Sequence, residues 1–333
     1  MKDRGAYKMV GAVHLSVVLF LACAAHAESS SPPSEANPQV TDVLAALQRI
    51  APTPRPIPCE AGSFAVPSGG HLQGIQQATI AGESFIILSG SAKDESYLTL
   101  IALEGPQARV SRIVPLMPRP FKHAGGFQVC GDYLAIGIED DNTKDTSRIW
   151  IVPVSQLLNT ARPEPTIEIE RHGLYKRATA GAVALAKVCD RHLLCVGTWD
   201  CDTIDIYLSN GKPLEDPTCK FELHETWAAK TADRSNWCDP DFAAYQNLNL
   251  VVDTSDRVFV VGFARTSGDD VMDVFALDLS LTLERRLFKR ARHVLNPDKT
   301  SFRHGSGLSI LNSATLTLLS CGYQSFTLEH FAP

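Results

Sequence analysis

A short apolar run that ends in glycine recurs five times along this chain and limits its fold more than any other feature. The runs are FIILSG ending at Gly90, YLAIG at Gly137, LLCVG at Gly197, VFVVG at Gly262 and LLSCG at Gly322, at intervals of 47, 60, 65 and 60 residues. Some 14 to 19 residues before each glycine stands a small-residue motif: HLQGIQ from His71, HAGGFQ from His123, TAGAVA from Thr179, AYQNLN from Ala244 and HGSGLS from His304. After each glycine come a polar turn and an alternating segment, such as YLTLIAL from Tyr97 or RIWIVPV from Arg148, and most units add a fourth, more exposed strand. Alternation with β-branched residues and turn residues at each break is a strand signature. Self-similarity at a fixed spacing marks a repeat architecture. Five units of four strands, about 60 residues each, fit an all-β propeller of five blades with four antiparallel strands apiece.

Two alternatives fit less well. A parallel βαβ sheet needs amphipathic helices between its strands, and no apolar period of 3.6 residues and helical length lies there. A sandwich has no need of so regular a repeat. The last unit holds three strands before the chain reaches Pro333, so an N-terminal strand is expected to complete it and close the ring. GSFAVP, Gly62 to Pro67, is the segment expected to do so.

The N-terminus reads as an export signal. Lys2, Arg4 and Lys8 precede the apolar run Val17 to Ala25, and Ala25-His26-Ala27 offers a cleavage site, so residues 1–27 are expected to be removed. Phe20-Leu21-Ala22-Cys23 loosely matches a lipoprotein box, the rival reading. The run is too short to span a bilayer and no later one is longer, so no membrane span is expected. Residues 28–58, rich in Ser, Pro and Ala, read as a linker with room for one short helix at Val40 to Ile50, leaving residues 59–333 as the propeller domain.

Removing the signal moves the formal charge from −6 to about −8. A mildly acidic surface argues against nucleic acid, which calls for a basic stripe. Eight cysteines follow Cys23, an even number that in an exported chain points to disulfides, at least two pairs, without fixing which. A secreted or periplasmic monomer is expected.

The stretch H-A-G-G-F-Q from His123, followed by G-D-Y-L-A-I-G, the acidic turn and RIWIVPV, resembles repeats of exported bacterial β-propeller proteins. The resemblance covers roughly residues 60 to 331 and implies architecture only.

In such a ring, the loops leading into the innermost strands and the loops joining second to third strands open on one face. The first set carries His71, His123 and His304, with Arg119, Lys122 and Arg303 nearby. The second carries Asp94 and Glu95, Glu139-Asp140-Asp141, Asp200 and Asp202, and Asp269 and Asp270. Solvated loops explain these acids adequately. The long connection from His224 to Tyr245 holds Trp227, Trp237, Asp239 and Asp241, a combination suited to ring stacking and hydroxyl binding. A glycosidase would need carboxylates on inner strands, and the expected inner strands contain none. Nor is there a G-x-S-x-G or H-E-x-x-H motif. The expectation is therefore a non-catalytic exported propeller that binds a protein or small ligand on this face. The alternative is a metal-assisted hydrolase or lyase in which His71, His123 and His304 hold a divalent ion.

Overall fold

The computed structural model describes residues 33–333. The expected signal peptide, its cleavage site at Ala27 and the Cys23 lipid box lie outside the described residues.

Strands dominate because each apolar run alternates and each break carries a turn residue. In chain order they are β1 (Arg55–Ile57), β2 (Cys59–Glu60), β3 (Leu72–Ile80), β4 (Glu83–Ser91), β5 (Glu95–Glu104), β6 (Gln107–Pro118), β7 (His123–Cys130), β8 (Tyr133–Glu139), β9 (Thr146–Pro153), β10 (Ile167–His172), β11 (Ala182–Val188), β12 (Arg191–Gly197), β13 (Thr203–Ser209) and β14 (Phe221–Ala228). The remainder are β15 (Asn247–Val252), β16 (Val258–Thr266), β17 (Asp269–Leu277), β18 (Leu287–Leu295), β19 (Gly305–Ile310), β20 (Leu316–Cys321) and β21 (Leu328–Phe331). Antiparallel pairing groups them into sets: β3 to β6, β7 to β10, β11 to β14, β15 to β18, and β19 to β21 completed by β1.

The sets follow one another around a ring, as their cores show. Five buried apolar clusters each lie between neighbouring sets. The cluster of Leu72, Ile75, Leu88, Leu319, Cys321 and Leu328 joins the last set to the first. This is a β-propeller.

Ring closure comes from a different segment than expected. β1 pairs with β21 in the register Arg55 to His330 and Ile57 to Leu328, whereas Gly62 to Pro67 forms no strand. The alternation in GSFAVP is too short to decide, and β1 hides behind the prolines of PTPRPI, which an edge strand tolerates.

Residues 33–53, expected as spacer, are packed. Asn37 donates to Val129 O at 2.9 Å, Val40 pairs with Asp253, and Thr41 N donates to Ser313 O at 2.8 Å. Helix α1 (Val43–Gln48) is capped by the Asp42 carboxylate on Ala45 N and buries Val43, Ala46 and Leu47. The strap thus crosses the turns of the second, fourth and fifth sets on the face opposite the His loops. Glu35 fixes its start, with Lys187 Nζ at 3.1 Å and Leu214 N also donating to its carboxylate.

Side-chain amides occupy the axis. Gln76 donates to Leu308 O and accepts from Val129 N at 2.5 Å. Gln128 donates to Leu250 O at 2.8 Å and accepts from Leu250 N and Leu185 N. Asn247 reaches Ser306 O at 2.6 Å, and Asn249 accepts from Leu308 N. These bonds satisfy inner-strand groups that have no neighbouring ladder. Glycine is required where strands come this close: a methyl on Gly126 would strike the Asn247 side chain, and one on Gly74 would lie 2.5 Å from the Phe127 ring.

The eight described cysteines are all free thiols, which corrects the disulfide expectation. Their sites explain it. Cys130, Cys195, Cys201 and Cys321 are buried on separate strands or turns of three different sets, and burial pushes the thiols of Cys130, Cys195 and Cys321 up to about 11, 12 and 12. An even count is no guide when cysteine serves as a small apolar residue.

Candidate functional site

The mouth of the ring is built where the chain enters each inner strand and where it turns after each repeat glycine. Five rings follow one another there. His304 lies 4.4 Å from Tyr323, Tyr323 stacks on His71 at 4.9 Å, His71 meets His123 edge-on at 5.5 Å, and His123 lies 5.6 Å from Trp199. Lys144 Nζ sits 3.6 Å over the Trp199 ring. Tyr323 is 44% exposed, so this arc presents aromatic surface to solvent.

Under the arc is a buried acid. Glu139 ends β8 with no exposed surface, and its Oε2 lies 3.3 Å from His123 Nδ1, itself only 4% exposed. Its other oxygen accepts from Ala180 N, which anchors the loop into β11. Asp140 is buried too, with Oδ1 accepting from Asn142 N and Thr143 N. Burial works to raise its pKa, but those hydrogen bonds win and hold it below the usual carboxylate value. Asp141 pairs with Lys122 at 3.3 Å. Part of the acidic turn expected to be solvated is therefore structural, and one carboxylate addresses an imidazole.

The three histidines do come together, but as members of an aromatic row and not as a cage. Tyr323 packs against both His71 and His304, His71 Nδ1 lies 3.1 Å from Leu72 O, and His123 Nδ1 faces Glu139. Among the described residues no group of three or more His, Cys, Asp or Glu side chains is placed to hold a metal ion.

The other expected site residues disperse. Arg119 pairs with Asp94 at 3.1 Å on the surface, and Arg303 is exposed next to His304. Trp227 and Trp237 are buried in the core between the third and fourth sets, where Trp237 Nε1 donates to Leu287 O at 3.1 Å. Asp239 binds Arg292 at 2.7 Å and Lys289 at 3.4 Å, while Asp241 is exposed. The long loop is a core-covering segment whose two tryptophans are buried. Sequence reasoning missed Trp199 and Tyr323. The available signal was their place one or two residues past the repeat glycines Gly197 and Gly322, where side chains point to the mouth.

Burial lowers His71 to about 4, helped by repulsion from His123, and it lowers His192, His293, His304 and His330 as well. A histidine held neutral in the fold binds its proton in the unfolded chain, so its stabilisation is complete above the unfolded value near 6.5 and is lost on acidification. The melting temperature should fall from about pH 6.5 toward about pH 4, before most carboxylates titrate. His71→Phe should shallow that fall; a flat thermal denaturation profile over the same window would contradict the assignment.

No known protein family and no curated protein matches the chain. Solved structures resemble its fold. The catalytic domain of a Coprinopsis cinerea GH62 α-L-arabinofuranosidase aligns with TM-score 0.47 and 10% identity over 85% of this chain and 96% of its own. An exo-1,5-α-L-arabinanase from a bovine ruminal metagenomic library gives 0.47 and 13% over 80% and 94%. A GH43_1 enzyme from Xanthomonas citri, complexed with xylotriose, gives 0.46 and 10% over 82% and 90%. These neighbours are glycoside hydrolases, and the expectation of a non-catalytic binder is withdrawn in their light. Likeness this distant concerns the course of the chain, so any reaction has to be argued from this chain's own side chains. No helix among the described residues is long and apolar enough to cross a membrane.

Proposed function

We propose that this chain is an exported hydrolase of small molecules whose active site is the mouth of a five-bladed ring, each four-stranded set being one blade. The observation that carries the proposal is the buried Glu139 carboxylate 3.3 Å from His123 Nδ1 beneath a solvent-facing aromatic arc. The two atoms meet at ion-pair distance without a hydrogen bond, so the carboxylate favours the Nδ1-protonated imidazole by its charge and leaves Nε2 to exchange protons with a substrate or water. The inner strands carry no Asp or Glu, so acid–base work falls to His123, with Glu139 as its positioning residue. The part of Tyr323 that His71 and His304 leave exposed, and the partly buried Trp199, give aromatic surface against which a sugar-like ring can pack, while Lys144, over the Trp199 ring, and the Lys122–Asp141 pair offer polar contacts at the rim. Export rests on the N-terminal signal pattern.

The mature chain should be assayed with p-nitrophenyl arabinoside, xyloside, acetate and phosphate. Turnover of at least one is expected, falling about 10²-fold or more in His123→Ala with unchanged circular dichroism. In Glu139→Gln the acidic limb of the pH–rate profile should shift, which a purely structural role would not produce. Absence of turnover on all four probes, or full activity in His123→Ala, would sink the reading.

A further inference from the structure

A cleft between β10 and β13 carries charge that the proposed reaction does not use. Arg171, on β10, places Nη2 2.7 Å from Asp205 Oδ2 on β13. Arg177, on the loop into β11, grips the same carboxylate with Nη1 at 2.6 Å and Nη2 at 2.7 Å, and the Thr226 hydroxyl donates to it at 2.5 Å. Two guanidinium groups therefore share one buried carboxylate. Arg171 is only 6% exposed, and its Nη1 makes no hydrogen bond among the described residues. A buried donor left unused is costly and calls for an acceptor.

Beside these groups is a cavity of about 360 Å³ lined by Glu170, Arg171, His172, Arg177, Tyr207 and Leu223, among others. Glu170 is drawn to Arg148 at 3.0 Å and to His172 at 3.5 Å. Arg148 is shared with Glu168 at 3.1 Å, so the three arginines here are balanced by Glu168, Glu170 and Asp205, and what stays unmet at the cavity wall is the Nη1 donor of Arg171. We propose that this cleft binds a small oxyanion, a carboxylate or phosphate, held by the unused Nη1 of Arg171 and by the N–H donors of Arg177 that Asp205 leaves free. Guanidinium is the group whose planar donors match both anions. Tyr207 and the half-exposed Leu223 would cover the ligand's carbon skeleton, and the bound anion would bridge the second and third sets.

Titration calorimetry of the mature chain with sodium phosphate, and separately with sodium acetate at matched ionic strength, tests this. Saturable one-site binding of at least one anion is expected, and the stronger of the two identifies the source. Arg177→Gln should weaken it about tenfold or more, and Glu170→Gln, a change on the exposed side that leaves the Asp205 network intact, should strengthen it. Failure of the wild type to bind either anion saturably overturns the proposal. So does binding that is the same in both variants as in the wild type, since the anion would then sit elsewhere.

Discussion

Replacing Asp273 with alanine should lower the free energy of unfolding by about 3–5 kcal/mol, because it strips a buried ammonium of its nearest counter-charge and leaves it only the longer ionic contact to Asp239. Asp273 is fully buried on β17, between Lys289 Nζ at 3.1 Å, Arg292 at 2.8 Å through two bonds, and the Tyr245 hydroxyl at 2.5 Å. Lys289 is equally buried, with Asp239 and Asp241 O as its remaining partners. Burial and the Asp273 charge push the Tyr245 phenol well above its usual range, so it stays a donor. Lys289→Met should cost less, since it removes the ammonium together with its desolvation penalty and leaves Asp273 with Arg292 and Tyr245. Urea denaturation decides: equal losses in the two variants, or none in Asp273→Ala, would contradict this account.

The second large effect concerns the strap. Leu47→Asp should destabilise by more than about 4 kcal/mol, combining the loss of a fully buried leucine with an unpaired carboxylate in an apolar cluster. Leu47 belongs to the core between the fourth and fifth sets, alongside Val251, Phe259, Phe263, Phe302 and Phe331. If residues 33–53 were only a spacer, the variant would melt with the wild type. Differential scanning calorimetry distinguishes the two.

The ring was legible because repetition averages over local ambiguity: five glycine-ended runs cannot all be coincidence. The strap was legible only as room for a short helix at Val40 to Ile50: its five buried apolar residues belong to no repeat, and their packing depends on sets far along the chain. The tryptophan loop misled for a related reason. Length and composition mark a loop as unusual without saying which way its rings face, and Trp227 and Trp237 face inward. His71, His123 and His304 were placed at one mouth by the repeat alone, but Tyr323, between two of them, belongs to the turn after the last glycine and changes what the three can do.

The amides that fill the axis make the mouth a blind alley. Gln76, Gln128, Asn247 and Asn249 knit the inner strands, and the strap lies over the far end. A molecule that settles beside His123 therefore departs along the path by which it arrived. Outgoing and incoming molecules must compete for one doorway, so under the proposed hydrolase reading accumulating product should slow turnover by occupancy, without any separate regulatory site.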